Sequence, residues 1–83
     1  MAGKDTGMVT FEFGGFEFEA VKSELESYET NKQLAMGGTA FYEAVDRIFA
    51  GRDVEYCKKV GGSFSDMTAL VNAAFAAYGK AKN

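Results

Sequence analysis

Few side chains in this sequence could carry out covalent or acid–base chemistry. The chain contains no histidine, and its single cysteine is Cys57. Because Cys57 has no neighbouring base, we expect a small buried hydrophobic side chain rather than a reactive thiol. Glu12 and Glu17 form a pair of carboxylates, but on an open strand face nothing would exclude water from them as acid–base catalysis requires. These residues predict that the protein is not an enzyme.

Cofactor and metal motifs are also missing from the sequence. Gly61-Gly62-Ser63 precedes a predicted helix, but it lacks the Gly-Lys-Ser/Thr ending of a phosphate-binding loop. Without histidine, the chain has almost no ligands for a typical zinc or iron site. We therefore expect no cofactor and no metal, which leaves binding surfaces as the source of function.

Length and charge restrict the possible partners. The 83 residues carry a formal net charge of −3 and predict one domain, residues 1–83. An acidic chain is poorly suited to phosphate backbones, so nucleic acid is not the expected partner. One cysteine excludes an internal disulfide and favours a reducing compartment. The sequence shows neither a membrane-spanning apolar run nor a secretory signal, so we expect a cytoplasmic protein without a membrane partner.

Residues 8–20 have the pattern of a β-hairpin. Apolar and polar residues alternate on both sides of Gly14-Gly15, and residues 1–7 before them predict a flexible arm. A two-residue turn pairs Phe13 with Phe16 and Phe11 with Phe18, and it places every apolar residue of the hairpin on one face. That face must pack on helices, because two strands do not stand alone.

Residues 23–79 predict about four helices, and residues 80–83 predict a frayed tail. Ser23 with Glu26, and Ser63 with Asp66, resemble capping boxes. We expect Glu43 and Arg47 to form an ion pair on the second helix. The predicted fold class is therefore α+β, mostly α, with an N-terminal hairpin packed on a small helical bundle. The four helices begin at Ser23, Thr39, Asp53 and Ser63 and end at Gly37-Gly38, Gly51, Gly61-Gly62 and Gly79.

The two central helices of this bundle differ in how clearly their inward residues are marked. The helix that Thr39 caps carries a regular apolar stripe. The short helix after it has a weak pattern, and we expect Val54 and Cys57 to point inward there. The stripe consists of Phe41, Ala44, Val45, Ile48 and Phe49.

The last helix, Asp66–Tyr78, is the most apolar segment, and its two faces differ in the size of their side chains. One face carries large side chains at helical spacing and should be core. The opposite face carries small side chains and has Phe75 and Tyr78 at its edge, and it is a candidate surface for self-association or partner binding. The alternative is that its alanines simply stabilise the helix. The core stripe is Met67, Leu70, Val71, Ala74, Phe75 and Tyr78, and the small face is Ala69, Ala73, Ala76 and Ala77.

The outer face of the hairpin is a second candidate surface. Glu12 is predicted opposite Glu17, with Glu19 nearby. Like charges placed opposite each other cost some stability, so the face either is tolerated because it is solvated or attracts a basic partner segment.

A different class of function is a small nucleic-acid-binding regulator. The segment Asp53–Val60, the Gly61-Gly62 turn and the last helix could form a helix-turn-helix. The second helix of such a motif should present Arg, Gln or Lys to base edges, whereas this one presents alanines and Asn72. A carrier-protein function is poorly supported as well, because no Asp-Ser-Leu triplet occurs.

Taken as a whole, the sequence resembles the tail assembly chaperones of long-tailed, siphovirus-type bacteriophages and prophages. The likeness extends over almost the whole chain. It is carried by the hairpin Phe11–Phe18 (FEFGGFEF), by Ser27–Ala35 (SYETNKQLA), by Ala44–Gly51 (AVDRIFAG), and by the closing helix with Lys82-Asn83.

The resemblance implies a short chaperone of the bacterial host cytoplasm that is absent from the mature virion. Such proteins bind the tape measure protein, keep it soluble and help to recruit tail tube subunits. Many also exist in a longer form made by ribosomal frameshifting, and the codons of Lys82-Asn83 could provide a slippery sequence. A homo-oligomer is a further possibility, because a chain of 83 residues has a thin core and oligomerisation would bury more surface.

Overall fold

The computed structural model describes residues 7–82, with side chains through Lys80. A two-stranded antiparallel hairpin is followed by helices, which confirms the α+β, mostly α class. Five helices are present in the described residues rather than four, because the first predicted helix is divided. The elements are β1 (Met8–Phe13), β2 (Phe16–Val21), α1 (Lys22–Glu26), α2 (Tyr28–Met36), α3 (Gly38–Ile48), α4 (Asp53–Val60) and α5 (Phe64–Lys82).

The hairpin has the predicted register. Phe13 pairs with Phe16, Phe11 with Phe18 and Glu12 with Glu17. Gly14 and Gly15 both have positive φ, 61° and 86°, which is the geometry of the tight turn that this pairing needs. The predicted arm, residues 1–7, lies outside the described residues except for Gly7, whose carbonyl accepts a hydrogen bond from the Lys22 amide at 2.7 Å.

The core lies between the hairpin, α3 and α5. The α3 stripe is buried as predicted, and α5 packs against β1 and α4. On α5 the first four residues of the predicted stripe are buried, whereas Phe75 and Tyr78 are half-buried at its edge. The buried hydrophobic residues are Val9, Phe11, Phe18, Ala20, Leu25, Phe41, Ala44, Val45, Ile48, Phe49, Tyr56, Met67, Leu70, Val71 and Ala74.

The capping box predicted at Ser23 is wrong. The chain enters α1 directly from β2, so Val21 is the N-cap and Ser23 already lies inside the first turn. The helix then breaks at Ser27, whose hydroxyl accepts a hydrogen bond from the Thr30 amide at 3.1 Å and caps α2. Ser27 therefore performs the capping function that the sequence pattern assigned to Ser23.

A polar network joins α1, α2 and α3, and it corrects the predicted ion pair of Glu43 with Arg47. Arg47 instead donates from Nε to Glu24 Oε1 at 3.2 Å and from Nη2 to Thr30 Oγ1 at 3.2 Å. Nη2 also contacts Gln33 Oε1. Thr30 is 1% exposed and donates to the same Glu24 oxygen at 2.5 Å. The network satisfies a buried hydroxyl, which would otherwise destabilise the fold.

Two details of α3 and α4 also differ from the sequence prediction. Thr39 does not cap α3, because the helix begins one residue earlier and Gly37 is its N-cap. The bounds of α4 are as predicted, but Val54 is 63% exposed and Tyr56 is buried in its place. Tyr56 points inward because its ring fits edge-on against Phe18 and Phe49, with centroids 4.8 and 5.4 Å away.

The capping box at the start of α5 is confirmed. Ser63 Oγ accepts from the Asp66 amide at 3.0 Å, and Asp66 Oδ2 accepts from the Ser63 amide at 3.2 Å. At Gly61, where φ is 132°, an added Cβ would overlap the Asp66 carboxylate, so this turn requires glycine. The predicted end of α5 at Gly79 is wrong, because the helix continues to Lys82, and Asn83 lies outside the described residues.

None of the helices in residues 7–82 combines the length and the apolar character that crossing a bilayer requires.

Candidate functional site

Two of the surfaces predicted from the sequence meet at one cleft between β1 and α5. We call it the hairpin cleft; it has a volume of about 340 Å³. The strand contributes an aromatic floor and a carboxylate, and α5 contributes small side chains and an ammonium group. The lining residues are Phe11, Glu12, Ala73, Ala76, Ala77 and Lys80.

The alanine face is only partly open. Ala69 and Ala76 are exposed, whereas Ala73 and Ala77 are half-buried and pack against the core beside the hairpin. The short side chains thus already serve close packing within the chain, as small residues often do.

The two aromatic residues at the edge of the alanine face belong mainly to the fold. Phe75 and Tyr78 are half-buried against the core. The Tyr78 hydroxyl donates to Glu26 Oε2 at 2.9 Å, which connects the C-terminal half of α5 to α1. Their aromatic surface is therefore mostly used inside the chain.

The three glutamates of the hairpin fall into two environments. Glu12 and Glu17 are exposed and lie opposite each other. Glu19 is half-buried and accepts a charge-assisted hydrogen bond from Arg52 Nη2 at 3.4 Å. The open acidic face consequently contains Glu12 and Glu17, while Glu19 holds α4 to the hairpin.

A second concave surface was missed by the sequence prediction. We call it the aromatic groove; it lies between α3, α4 and the start of α5 and has a volume of about 240 Å³. A cavity of about 150 Å³ is large enough to bind benzene, so this groove has room for an aromatic or large aliphatic side chain. Its lining residues are Phe41, Tyr42, Val45, Asp53, Val54, Cys57, Gly62, Ser63, Phe64 and Met67.

Three aromatic rings form one wall of the aromatic groove. The centroid of Phe41 lies 5.8 Å from that of Tyr42 and 5.1 Å from that of Phe64, and the Tyr42 and Phe64 centroids are 6.1 Å apart. Phe41 is buried, but Tyr42 and Phe64 are each 58% exposed. Val54 on the facing helix is 63% exposed. A cluster of large apolar side chains left in water is typical of a binding surface.

Comparisons of the chain with protein-family models, with curated proteins and with solved structures find no match.

One charged side chain lines the aromatic groove. Partial burial, the negative charge of Asp46 and a hydrogen bond with the Asp46 side chain raise the pKa of Asp53 above its ordinary value of 3.8. Backbone hydrogen bonds from the first turn of α4 oppose this rise. Neither carboxylate forms an ion pair with any residue in the described part of the chain. The groove therefore combines an apolar interior with uncompensated negative charge at its edge.

Cys57 also lines the groove, which corrects its predicted burial. The side chain is half-buried, and Sγ donates to the Ser63 carbonyl at 3.5 Å. Within residues 7–82 no group of three or more His, Cys, Asp or Glu side chains is placed to hold a metal ion. What this surface offers a ligand is apolar contact area and negative charge.

The residues of the groove had only weak signals in the sequence. Tyr42 follows a core position on α3, and Phe64 occupies the position directly after the capping Ser63. Each of these aromatic residues lies outside the predicted apolar stripe of its helix, which is the one feature that could have indicated exposure.

Proposed function

We propose that this chain is a tail assembly chaperone of a long-tailed bacteriophage or prophage. It would bind the tape measure protein, keep it soluble and help to recruit tail tube subunits. It would act in the cytoplasm of the bacterial host and be absent from the mature virion. The sequence resemblance supplies this identity, and the aromatic groove is the observation that carries it in the structure.

A tape measure protein that is not yet enclosed by its tail tube leaves its helical surface exposed. A long helical protein waiting for its tube presents apolar side chains at i, i+3, i+4 and i+7, which aggregate unless they are covered. A groove with exposed aromatic walls can take such side chains, as in other complexes where an amphipathic helix lies in an apolar groove. Tyr42, Val54 and Phe64 would provide the contact in this chain.

The charge of α5 supports protein binding over the helix-turn-helix alternative. A recognition helix needs several basic or amide side chains toward the DNA. On α5, among the side chains that the structure describes, the exposed polar residues are Ser65, Asn72 and Lys80. With a formal net charge of −3 for the chain, this surface is poorly suited to a phosphate backbone.

The test is co-expression with a tape measure fragment from the same genome, followed by size-exclusion chromatography with light scattering. We expect the fragment to be insoluble alone and to elute with the wild-type chain as a complex. The same measurement reports whether the free chain is a homo-oligomer. If the fragment remains insoluble beside a well-folded chain, the proposed function is wrong.

Matched variants connect the test to the groove. Tyr42→Ser should weaken the complex, because it removes an exposed aromatic wall. Tyr28→Ser is the control, since Tyr28 is 81% exposed and does not line the groove. Burying an aromatic side chain contributes about 1.5–3 kcal/mol, so the groove variant should lower the affinity by about tenfold or more. Equal loss in both variants would contradict the assignment of the groove.

A further inference from the structure

The aromatic groove and the carboxylates at its edge together specify the chemistry of a ligand. Asp53 is the only charged residue among the described residues that line the groove, and no lysine or arginine lines it. Its neighbour Asp46 is exposed and lies close enough for its negative charge to act on Asp53. A ligand that fills the groove therefore meets apolar walls and two negative charges at one end.

The placement of Asp46 on α3 gives these charges a position relative to the aromatic wall. Tyr42 and Asp46 are four residues apart on α3, so they lie on the same side of the helix, one turn from each other. Asp53 stands at the start of α4 and lines the groove beside Val54. On α3, Asp46 is thus displaced from Tyr42 by one helical turn, roughly 5 Å along the helix axis.

We infer that the aromatic groove binds a helical client segment that carries, beside its apolar side chains, a lysine or arginine that pairs with the carboxylates of Asp46 and Asp53. The inference rests on the proposed function, because it specifies the part of the client that is recognised. For a client helix lying along α3, the cation comes three or four residues from the apolar side chain that contacts Tyr42.

Charge also argues for a basic client over a second copy of this chain. Two copies that joined groove to groove would each bring Asp46 and Asp53 to the interface. Like charges brought together in this way oppose association, whereas a cation removes the repulsion already present between the two carboxylates. The client segment is therefore a basic amphipathic helix rather than the same surface of another copy.

The experiment uses the full chain and three synthetic peptides of about 20 residues, long enough to be helical. All have the same stripe of leucine and phenylalanine. The first has lysine at the edge of the stripe, the second has glutamine there, and the third has the lysine moved to the opposite face, so that its composition and charge equal those of the first. Affinity is measured by fluorescence anisotropy at low ionic strength.

We expect the wild-type chain to bind the edge-lysine peptide about three- to fivefold more tightly than the other two. The double variant D46N/D53N should bind all three peptides equally. The control is E12Q/E17Q, which loses the same two negative charges from the hairpin face and should keep the preference. Added salt should reduce the preference, because the pair is partly solvated.

Three results would overturn the inference. Equal binding of the three peptides by the wild-type chain would mean that charge does not select the client. Loss of the preference in E12Q/E17Q as well would assign it to net charge or to the acidic hairpin face rather than to Asp46 and Asp53. A homodimer that Tyr42→Ser dissociates and that no peptide disrupts would assign the groove to a second copy.

This inference and the proposed function fail in different ways. If the chain solubilises the tape measure fragment but shows no preference for the edge-lysine peptide, only the inference is wrong. If the chain discriminates the peptides through Asp46 and Asp53 but leaves the tape measure fragment insoluble, the proposed function is wrong and the groove still recognises basic helices.

Discussion

The hairpin cleft and the aromatic groove are both concave surfaces beside α5, and they differ in how much of their apolar surface the chain itself covers. In the cleft, Phe11 is buried and Ala73 and Ala77 already pack against the core. In the groove, Tyr42 and Phe64 remain more than half exposed. Packing within the chain explains the small side chains of the cleft, because they allow two elements to approach closely. It does not explain the large aromatic rings of the groove, which remain exposed to water.

The largest expected difference is between two phenylalanines on the two sides of the molecule. Phe18, beneath the hairpin, is 1% exposed and Phe64, in the groove, is 58% exposed. Phe18→Ala should lower the free energy of unfolding by about 3–5 kcal/mol, because it leaves a cavity between β1, β2 and Tyr56. Phe64→Ala should lower it by about 1 kcal/mol or less, since most of its ring is already in water.

Urea denaturation followed by circular dichroism measures both values. Where Phe18→Ala is too unstable to fold, Phe18→Leu provides a measurable intermediate loss. Similar losses for the Phe18 and Phe64 variants would mean that the groove wall belongs to the core, and the contrast between the two surfaces would then be false.

A smaller effect separates the two kinds of alanine on α5. Ala73 is half-buried in the hairpin cleft beside Glu12, and Ala69 is exposed. Ala73→Glu should destabilise the fold by about 1–2 kcal/mol, because it places a second carboxylate at a partly desolvated site. Ala69→Glu should change the stability by less than about 0.5 kcal/mol. Both values come from urea denaturation.

The same pair of variants tests the predicted function of the alanine face. If the Ala69→Glu variant is as stable as the wild-type chain but light scattering shows that an oligomer or a client complex has dissociated, the alanine face is a binding surface. Unchanged association in Ala69→Glu would leave the alanines with a structural function only.

Local patterns explain which parts of the fold could be predicted. The register of the hairpin follows from alternation and from Gly14-Gly15, which agree with each other. The stripe of α3 and the cap of Ser63 on Asp66 are likewise complete within a few residues. Each of these signals involves neighbours in the sequence, so the sequence alone is sufficient to read them.

The errors occur where distant residues decide between similar local options. The sequence pattern indicates Ser23 as a cap, but the chain enters α1 directly from β2 and Ser27 caps α2 instead. Arg47 turns away from its neighbour Glu43 toward Glu24, which is 23 positions earlier in the chain. No periodicity within one helix contains such information.

The aromatic groove was missed for the same reason. It combines α3, α4 and the turn before α5, so no single element reveals it. The sequence prediction placed Val54 in the core, although it is exposed and forms part of the groove. It did not identify Tyr56, which is the α4 residue that is buried beneath the hairpin. The surfaces predicted from the sequence were accordingly the alanine face of α5 and the acidic face of the hairpin, which each lie on one strongly patterned element.

The smallest expected effect concerns the carboxylates at the edge of the groove. The folded-state pKa of Asp53 is raised above its ordinary value of 3.8. A raised carboxyl pKa means that this group favours folding most below that value, and that the contribution is lost as pH rises through the folded-state pKa. Asp46→Asn removes one of the causes, so it should stabilise the fold near neutral pH by about a few tenths of a kcal/mol, after allowance for solvent screening.

The gain should vanish well below pH 3.8, where the Asp53 carboxyl is uncharged in both the folded and the unfolded chain. Urea denaturation of the wild-type chain, the two single asparagine variants and D46N/D53N at acidic and neutral pH forms a double-mutant cycle that isolates the coupling between Asp46 and Asp53. At neutral pH, each single asparagine substitution should raise the free energy of unfolding, and the double substitution should raise it by less than the sum of the two. A coupling of zero would mean that the two carboxylates do not repel each other, and the aromatic groove would then differ from the hairpin cleft in its apolar surface alone.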